Sequence, residues 1–117
     1  MAIGTANIVR IPTASDSVLA EMVERLVEAY QPERIILFGS VARADANLDS
    51  DYDLMVVVPD DANPERQRSR AGYRATRHFG EARDIFVSKA SDFQRQLHLK
   101  ASFPSTVVRE GIVLYGA

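Results

Sequence analysis

The amino-acid sequence predicts an α+β fold, a mixed sheet of about four strands with flanking helices, and three observations carry that expectation. Segments with apolar residues at helical spacing alternate with strand-sized apolar runs, in the order helix, strand, strand, helix, strand, helix, strand. The runs RIILF (34–38) and LMVVV (54–58) are almost wholly apolar and rich in β-branched residues, as in strands buried on both faces. At 117 residues with 46% hydrophobic content, the chain fits one compact core. Residues 1–117 are therefore read as a single domain, with 1–12, which show no clear period, as an N-terminal arm or a short edge strand.

Composition narrows the function classes. With 14 Lys+Arg against 16 Asp+Glu the net charge is -2, so no global field draws the chain to nucleic acid or to an anionic membrane. No direct nucleic-acid binding is expected, and any polyanion has to be held locally. The absence of cysteine excludes disulfides and thiolate zinc sites and suits a reducing compartment. The longest apolar runs are too short to cross a bilayer, and residues 1–17 lack the basic start and long apolar core of a secretory signal. A soluble, cytoplasmic protein with no membrane contact is the expectation.

Taken in order, Thr13, Ala14, Ser15 and Asp16 resemble a capping box in which Asp16 replaces the usual Glu or Gln, and a helix is expected from there. Val18, Leu19, Met22, Val23, Leu26, Val27 and Tyr30 recur at helical spacing with Glu21, Glu24, Arg25 and Glu28 on the other side, and Pro32 marks the end. A stripe this wide reads as core rather than as a partner surface. After the strand 34–38, Gly39 and Ser40 open a short run of helix formers, Val41 to Ala44. A strand, a Gly turn and a helix start leave backbone N–H groups aimed at one spot, and a residue without Cβ lets a phosphate come close. Ser40 adds a hydroxyl donor. Alone, a Gly-Ser pair after a strand is a common turn, so the residues that follow decide its meaning.

Those residues are acidic. Asp45, Asp49, Asp51 and Asp53 fall within nine positions and run straight into the strand 54–58. In extended chain i and i+2 share a side, so Asp51 and Asp53 point together while Tyr52 points away. Two carboxylates at the mouth of an apolar strand repel unless a divalent cation neutralises them. Hard oxygen ligands of this kind suit Mg²⁺, which is commonly held by one or two carboxylates together with substrate phosphates. A solvated acidic loop accounts for Asp45 and Asp49, but less well for Asp53, which lies against the strand. An EF-hand calcium loop fails, because its turn Gly would fall on Ser50 and its bidentate Glu on Val56.

Asn63 and Pro64 are a cap and first-turn pair for a helix over 64–79, which carries Arg66, Arg68, Arg70, Arg74, Arg77 and His78. This basic patch is either a solvated face or a docking surface. His78 and His98 have no second His or Cys nearby and are read as surface residues. In the third strand, 83–87, Asp84 shares a side with Phe86 and Ser88. If that strand lies beside 52–58, Asp84 reaches the cation held by Asp51 and Asp53. Three carboxylates then make a two-metal site possible, with one ion activating the attacking oxygen and both clamping the phosphate. Residues 91–100 and 104–110 read as two further helices, Gly111 as a stop and 112–115 as the last strand.

Together, Gly39-Ser40-Val41-Ala42-Arg43, then Ser50-Asp51-Tyr52-Asp53-Leu54, then Asp84, resemble the signature of the polymerase-β-like nucleotidyltransferases over roughly residues 15–115. The short length and the Gly-Ser-x-Ala-Arg wording resemble most closely the minimal nucleotidyltransferases, the MNT proteins. The resemblance implies Gly39, Ser40 and Arg43 as nucleotide-binding residues. It also implies Asp51, Asp53 and Asp84 as catalytic residues and ligands of two Mg²⁺ ions, with Asp84 helping to deprotonate the acceptor hydroxyl. The implied reaction is attack of that hydroxyl on the α-phosphorus of ATP, with pyrophosphate leaving.

A partner is implied as well. MNT proteins typically accompany a HEPN-domain RNase-type toxin, which they neutralise by adding AMP to a tyrosine. The expected function is thus a Mg-dependent protein adenylyltransferase acting as antitoxin, with helix 64–79 as the candidate docking face. Ala44 stands where family members often carry Gly, which bears on how 44–49 fold over the phosphates. Two other readings stand beside this one. A small-molecule, aminoglycoside-type nucleotidyltransferase normally needs more chain to enclose its sugar. A non-catalytic antitoxin would neutralise its toxin by binding alone. Nothing in the sequence is a recognisable base-reading motif.

Overall fold

A computed structural model describes residues 16–42, 51–80 and 82–116, the side chains of Asp16, Ser40 and Val41 excepted. The N-terminal arm, the first residues of the capping box, and the loop carrying Arg43, Asp45 and Asp49 lie outside the described residues. The elements are α1 (Asp16–Tyr30), β1 (Arg34–Phe38), α2 (Gly39–Ala42), β2 (Tyr52–Val58), α3 (Ser69–Thr76), β3 (Arg83–Lys89), α4 (Ala90–Arg95), α5 (Phe103–Glu110) and β4 (Ile112–Tyr115). Single 3-10 turns at Pro64–Gln67 and Arg77–Phe79 flank α3.

β1 pairs antiparallel with both β2 and β4, and β2 pairs parallel with β3, giving a mixed sheet in the order β3-β2-β1-β4. A parallel neighbour cannot be reached by a tight turn. The chain between β2 and β3 accordingly makes a long connection that contains α3.

Side-chain alternation sends each strand's residues to two different layers. On one face Leu19, Met22, Leu26 and Tyr30 of α1 close over Leu37, Leu54, Val56, Ile85 and Leu114, all of them buried. On the other, Ile36, Met55 and Val57 meet Phe93 of α4 and Val107 of α5. The helical stripe read from 18 to 30 is therefore core, since every one of its members packs in or against the first cluster.

Two helices depart from expectation. The segment 64–79 is broken at Arg68, whose backbone is extended (φ -111°, ψ 140°), so 3-10 turn and α3 are separate pieces. The cause lies on α1: the buried Tyr30 hydroxyl donates to the Arg68 carbonyl at 2.7 Å and reaches the Ser69 carbonyl at 3.2 Å, while accepting from the Gly72 amide at 2.7 Å. The second helix expected over 91–100 ends at Arg95, and tighter i to i-3 turns follow, Leu97 to Gln94 and Leu99 to Gln96. His98, Leu99, Lys100 and Ala101 are exposed, so nothing there supplies an apolar face to hold further helix.

Candidate active site at the carboxylate end of the sheet

Strand register brings the acids together. In the parallel pair Asp53 stands opposite Asp84, and Tyr52 opposite Arg83, with the Tyr52 amide donating to the Ala82 carbonyl at 3.1 Å. β1 runs the other way, so its last residue, Phe38, also stands opposite Asp53. The starts of β2 and β3 and the end of β1 therefore meet at one end of the sheet, where Gly39 begins α2. Asp53 shares its side with Met55 and Val57, which is the α4/α5 face. Asp51 lies just before β2 and is half-buried, and Asp84 is exposed on the edge strand.

Gly39 fixes how close the carboxylate comes to the turn. Its φ is 77°, a left-handed conformation that favours glycine. A Cβ at this position would collide with Asp53 Oδ2 and lie 3.1 Å from its Cγ. The Asp53 carboxylate thus occupies space that only a glycine leaves open. An anion held by the turn would sit beside a carboxylate, an arrangement that becomes favourable when a cation lies between them.

Among the described residues, no three His, Cys, Asp or Glu side chains are grouped tightly enough to hold a metal ion by themselves. The donor chemistry nevertheless fits Mg²⁺. Carboxylates are hard ligands, and this ion commonly takes only one or two from a protein, completing its shell with water and phosphate oxygens.

The residues flanking Asp84 are clamped from α3. The Arg83 guanidinium donates to Thr76 Oγ1 at 2.7 Å and to the Tyr73 carbonyl at 3.1 Å, and lies 5.5 Å from the Tyr73 ring. Thr76 is fully buried and donates to the Gly72 carbonyl at 2.8 Å. The Ile85 amide donates to the Tyr73 hydroxyl at 3.0 Å. The segment that reads in sequence as a basic patch thereby gains a buried side that sets the position of β3. On its exposed side Arg70 and Arg74 lie 3.1 and 3.9 Å from Glu65, and the Arg70 hydrogen bond holds that carboxyl below its usual range. His78 and His98 are exposed, as expected of surface residues.

The sequence reading missed an aromatic cluster beside the acids. Phe38, Phe86 and Phe103 contact one another with ring centroids 5.4 to 5.6 Å apart. Phe86, two residues beyond Asp84 on the same side, was within reach of pattern reasoning. Phe103 was not, because only the tertiary fold brings the start of α5 over β2 and β3.

The nucleotidyltransferase domain family model matches residues 19–113. A search of curated proteins gives no significant match. Among solved structures, the chain is similar to one described as "Crystal structure of the toxin-antitoxin with AMP-PNP", with a TM-score of 0.54 and 19% identity, over 83% of this chain and 73% of that one. At that identity the likeness concerns the fold. The family match runs from α1 to β4 and includes the Gly39 turn and both acid-bearing strands. This chain, with its four-stranded mixed sheet and flanking helices, belongs to the nucleotidyltransferase domain family and has the polymerase-β-like fold.

Proposed function

We propose that the chain transfers AMP from ATP to a tyrosine hydroxyl on a partner HEPN-type RNase toxin, and so acts as its antitoxin in the cytoplasm. The observation that carries this reading is the meeting of Asp53, Asp84 and the Gly39 turn at one end of the sheet. Family membership supports the transfer chemistry. The similar structure, a toxin–antitoxin with AMP-PNP, supports the choice of nucleotide and of partner class. The lack of cysteine suits a reducing compartment.

In this reading Gly39 and Ser40, with Arg43, hold the triphosphate, and the absence of a Cβ at Gly39 lets phosphate oxygens approach the backbone. Asp51, Asp53 and Asp84 would hold Mg²⁺, which when bound neutralises the carboxylates and the phosphates and polarises the α-phosphorus. Asp84, on the edge strand, accepts the proton of the incoming hydroxyl. The hydroxyl oxygen forms a bond to the α-phosphorus as the bond to the pyrophosphate oxygen breaks. The clamp of Tyr73, Thr76 and Arg83 keeps Asp84 in register with Asp53 during this exchange.

The test is transfer of label from ATP marked on its α-phosphate to a co-purified HEPN-type toxin in the presence of Mg²⁺. The wild-type chain labels the toxin and Asp51→Ala does not. Toxin left unlabelled by the wild type would overturn the proposal. Equal labelling by Asp51→Ala would remove that residue from the site.

A further inference from the structure

We propose that Phe38, Phe86 and Phe103, together with the cavity that Phe86 and Phe103 border, form the subsite for the base of the nucleoside triphosphate. This inference rests on the reading of the chain as a transferase that uses such a substrate. It supplies the base recognition for which the sequence shows no motif.

The three rings meet at interplanar angles of 51°, 79° and 64°, tilted or edge-on to one another. Edge-on packing leaves ring faces unused, and Phe86 and Phe103 remain 39% and 46% exposed. Apolar surface of this kind, set beside polar groups in a concave region, marks a ligand site more often than a defect of packing. Its position suits a nucleotide. Phe38 stands opposite Asp53 and immediately precedes the Gly39 turn, and Phe86 lies two residues along β3 from Asp84 on the same side. Two residues of strand span roughly 6–7 Å, about the reach from an α-phosphate to a base.

A cavity of about 450 Å³ continues from Phe86 and Phe103 along the edge strand. Its polar lining includes Gln67 and Ser88, which already donate to the Ala62 and Lys89 carbonyls and keep oxygens that accept, and Ser69 and Gln96, whose side chains can both donate and accept. An aromatic wall facing such groups matches a planar heterocycle with a hydrogen-bonding edge. The lining suits a polycation less well, because its carboxylate, Asp92, is already ion-paired with Arg95.

The test compares calorimetric binding of Mg-ATP and of Mg-tripolyphosphate, which lacks base and ribose, to the full chain. Phe103→Ala and Phe86→Leu should each weaken ATP about tenfold, the scale of one base stacked on one aromatic ring. Tripolyphosphate affinity should not change, and Phe103→Trp should keep wild-type affinity for ATP because it restores a stacking face. ATP affinity unchanged in Phe103→Ala and Phe86→Leu would overturn the assignment, as would equal losses for both ligands, which indicate a distorted fold. A wild-type chain that binds neither ligand would instead overturn the underlying triphosphate reading, and the subsite with it.

Discussion

The two faces of the sheet are built from the same strands and do opposite things. Toward α1 and α3, fourteen buried residues among those described form one continuous cluster, and its few polar atoms are bonded, as with the Tyr30 hydroxyl against Arg68 and Gly72. Toward α4 and α5 the buried cluster has five members among the described residues, and beyond them come exposed phenylalanine rings and a carboxylate, Asp84. The contrast follows from the two-residue period of a strand, in which Leu54 and Val56 face one layer while Asp53 and Met55 face the other. One strand can therefore contribute to the core and to the candidate site without compromise. Stability should reside mainly on the closed face and chemistry on the open one.

The largest expected effect tests the closed face. Leu54→Ala removes a fully buried side chain and should cost about 2–5 kcal/mol in chemical denaturation. Nucleotide transfer per folded molecule should stay near wild type. Next comes the seam where the two faces meet the turn. Gly39→Ala forces a non-glycine residue to φ 77° and drives its Cβ into Asp53, at a cost of about 1–2 kcal/mol for the backbone alone. The accompanying loss of Mg-tripolyphosphate binding would show that phosphate is held where the turn and the Asp53 carboxylate meet.

Tyr30→Phe leaves the Gly72 amide without its buried acceptor and should cost about 1–3 kcal/mol. This residue also gives the closed face a pH signature. Burial pushes the Tyr30 phenol up from its ordinary value of 10.0 to about 12. A neutral phenol is thus favoured by folding. The associated stability is complete below pH 10 and is lost as the pH rises toward 12. Urea midpoints measured across that window should fall in the wild type and fall less in Tyr30→Phe. The smallest effect belongs to the open face: Phe103→Ala, at an exposed position, should change stability by less than about 1 kcal/mol in the same assay.

Much of this division was legible in the sequence. The stripe from Val18 to Tyr30 and the strands 34–38 and 52–58 follow from local periods alone. The reach of Asp84 to Asp53 was conditional on two strands being neighbours, and the parallel register meets that condition. What remained hidden depends on distant segments. Arg68 interrupts the expected helix because a tyrosine 38 residues earlier takes its carbonyl, a contact with no local signature. Phe103 joins Phe38 and Phe86 only through the path of the chain after α4. The same is true of the clamp on β3, since Thr76 and Arg83 look like ordinary polar residues until α3 packs on the strand.

If the carboxylate end of the open face carries the chemistry while contributing little to the fold, loss of one of its acids should stop transfer and leave stability alone. Asp84→Ala, at an exposed position, tests this most sharply when measured both for transfer of α-labelled AMP to the proposed toxin partner and for its denaturation midpoint. Transfer should fall at least about a hundredfold, since a Mg²⁺ ion held as proposed would stabilise the transition state by several kcal/mol. The midpoint should stay close to that of the wild type. Transfer retained at the wild-type rate, with or without a change in midpoint, would contradict that premise.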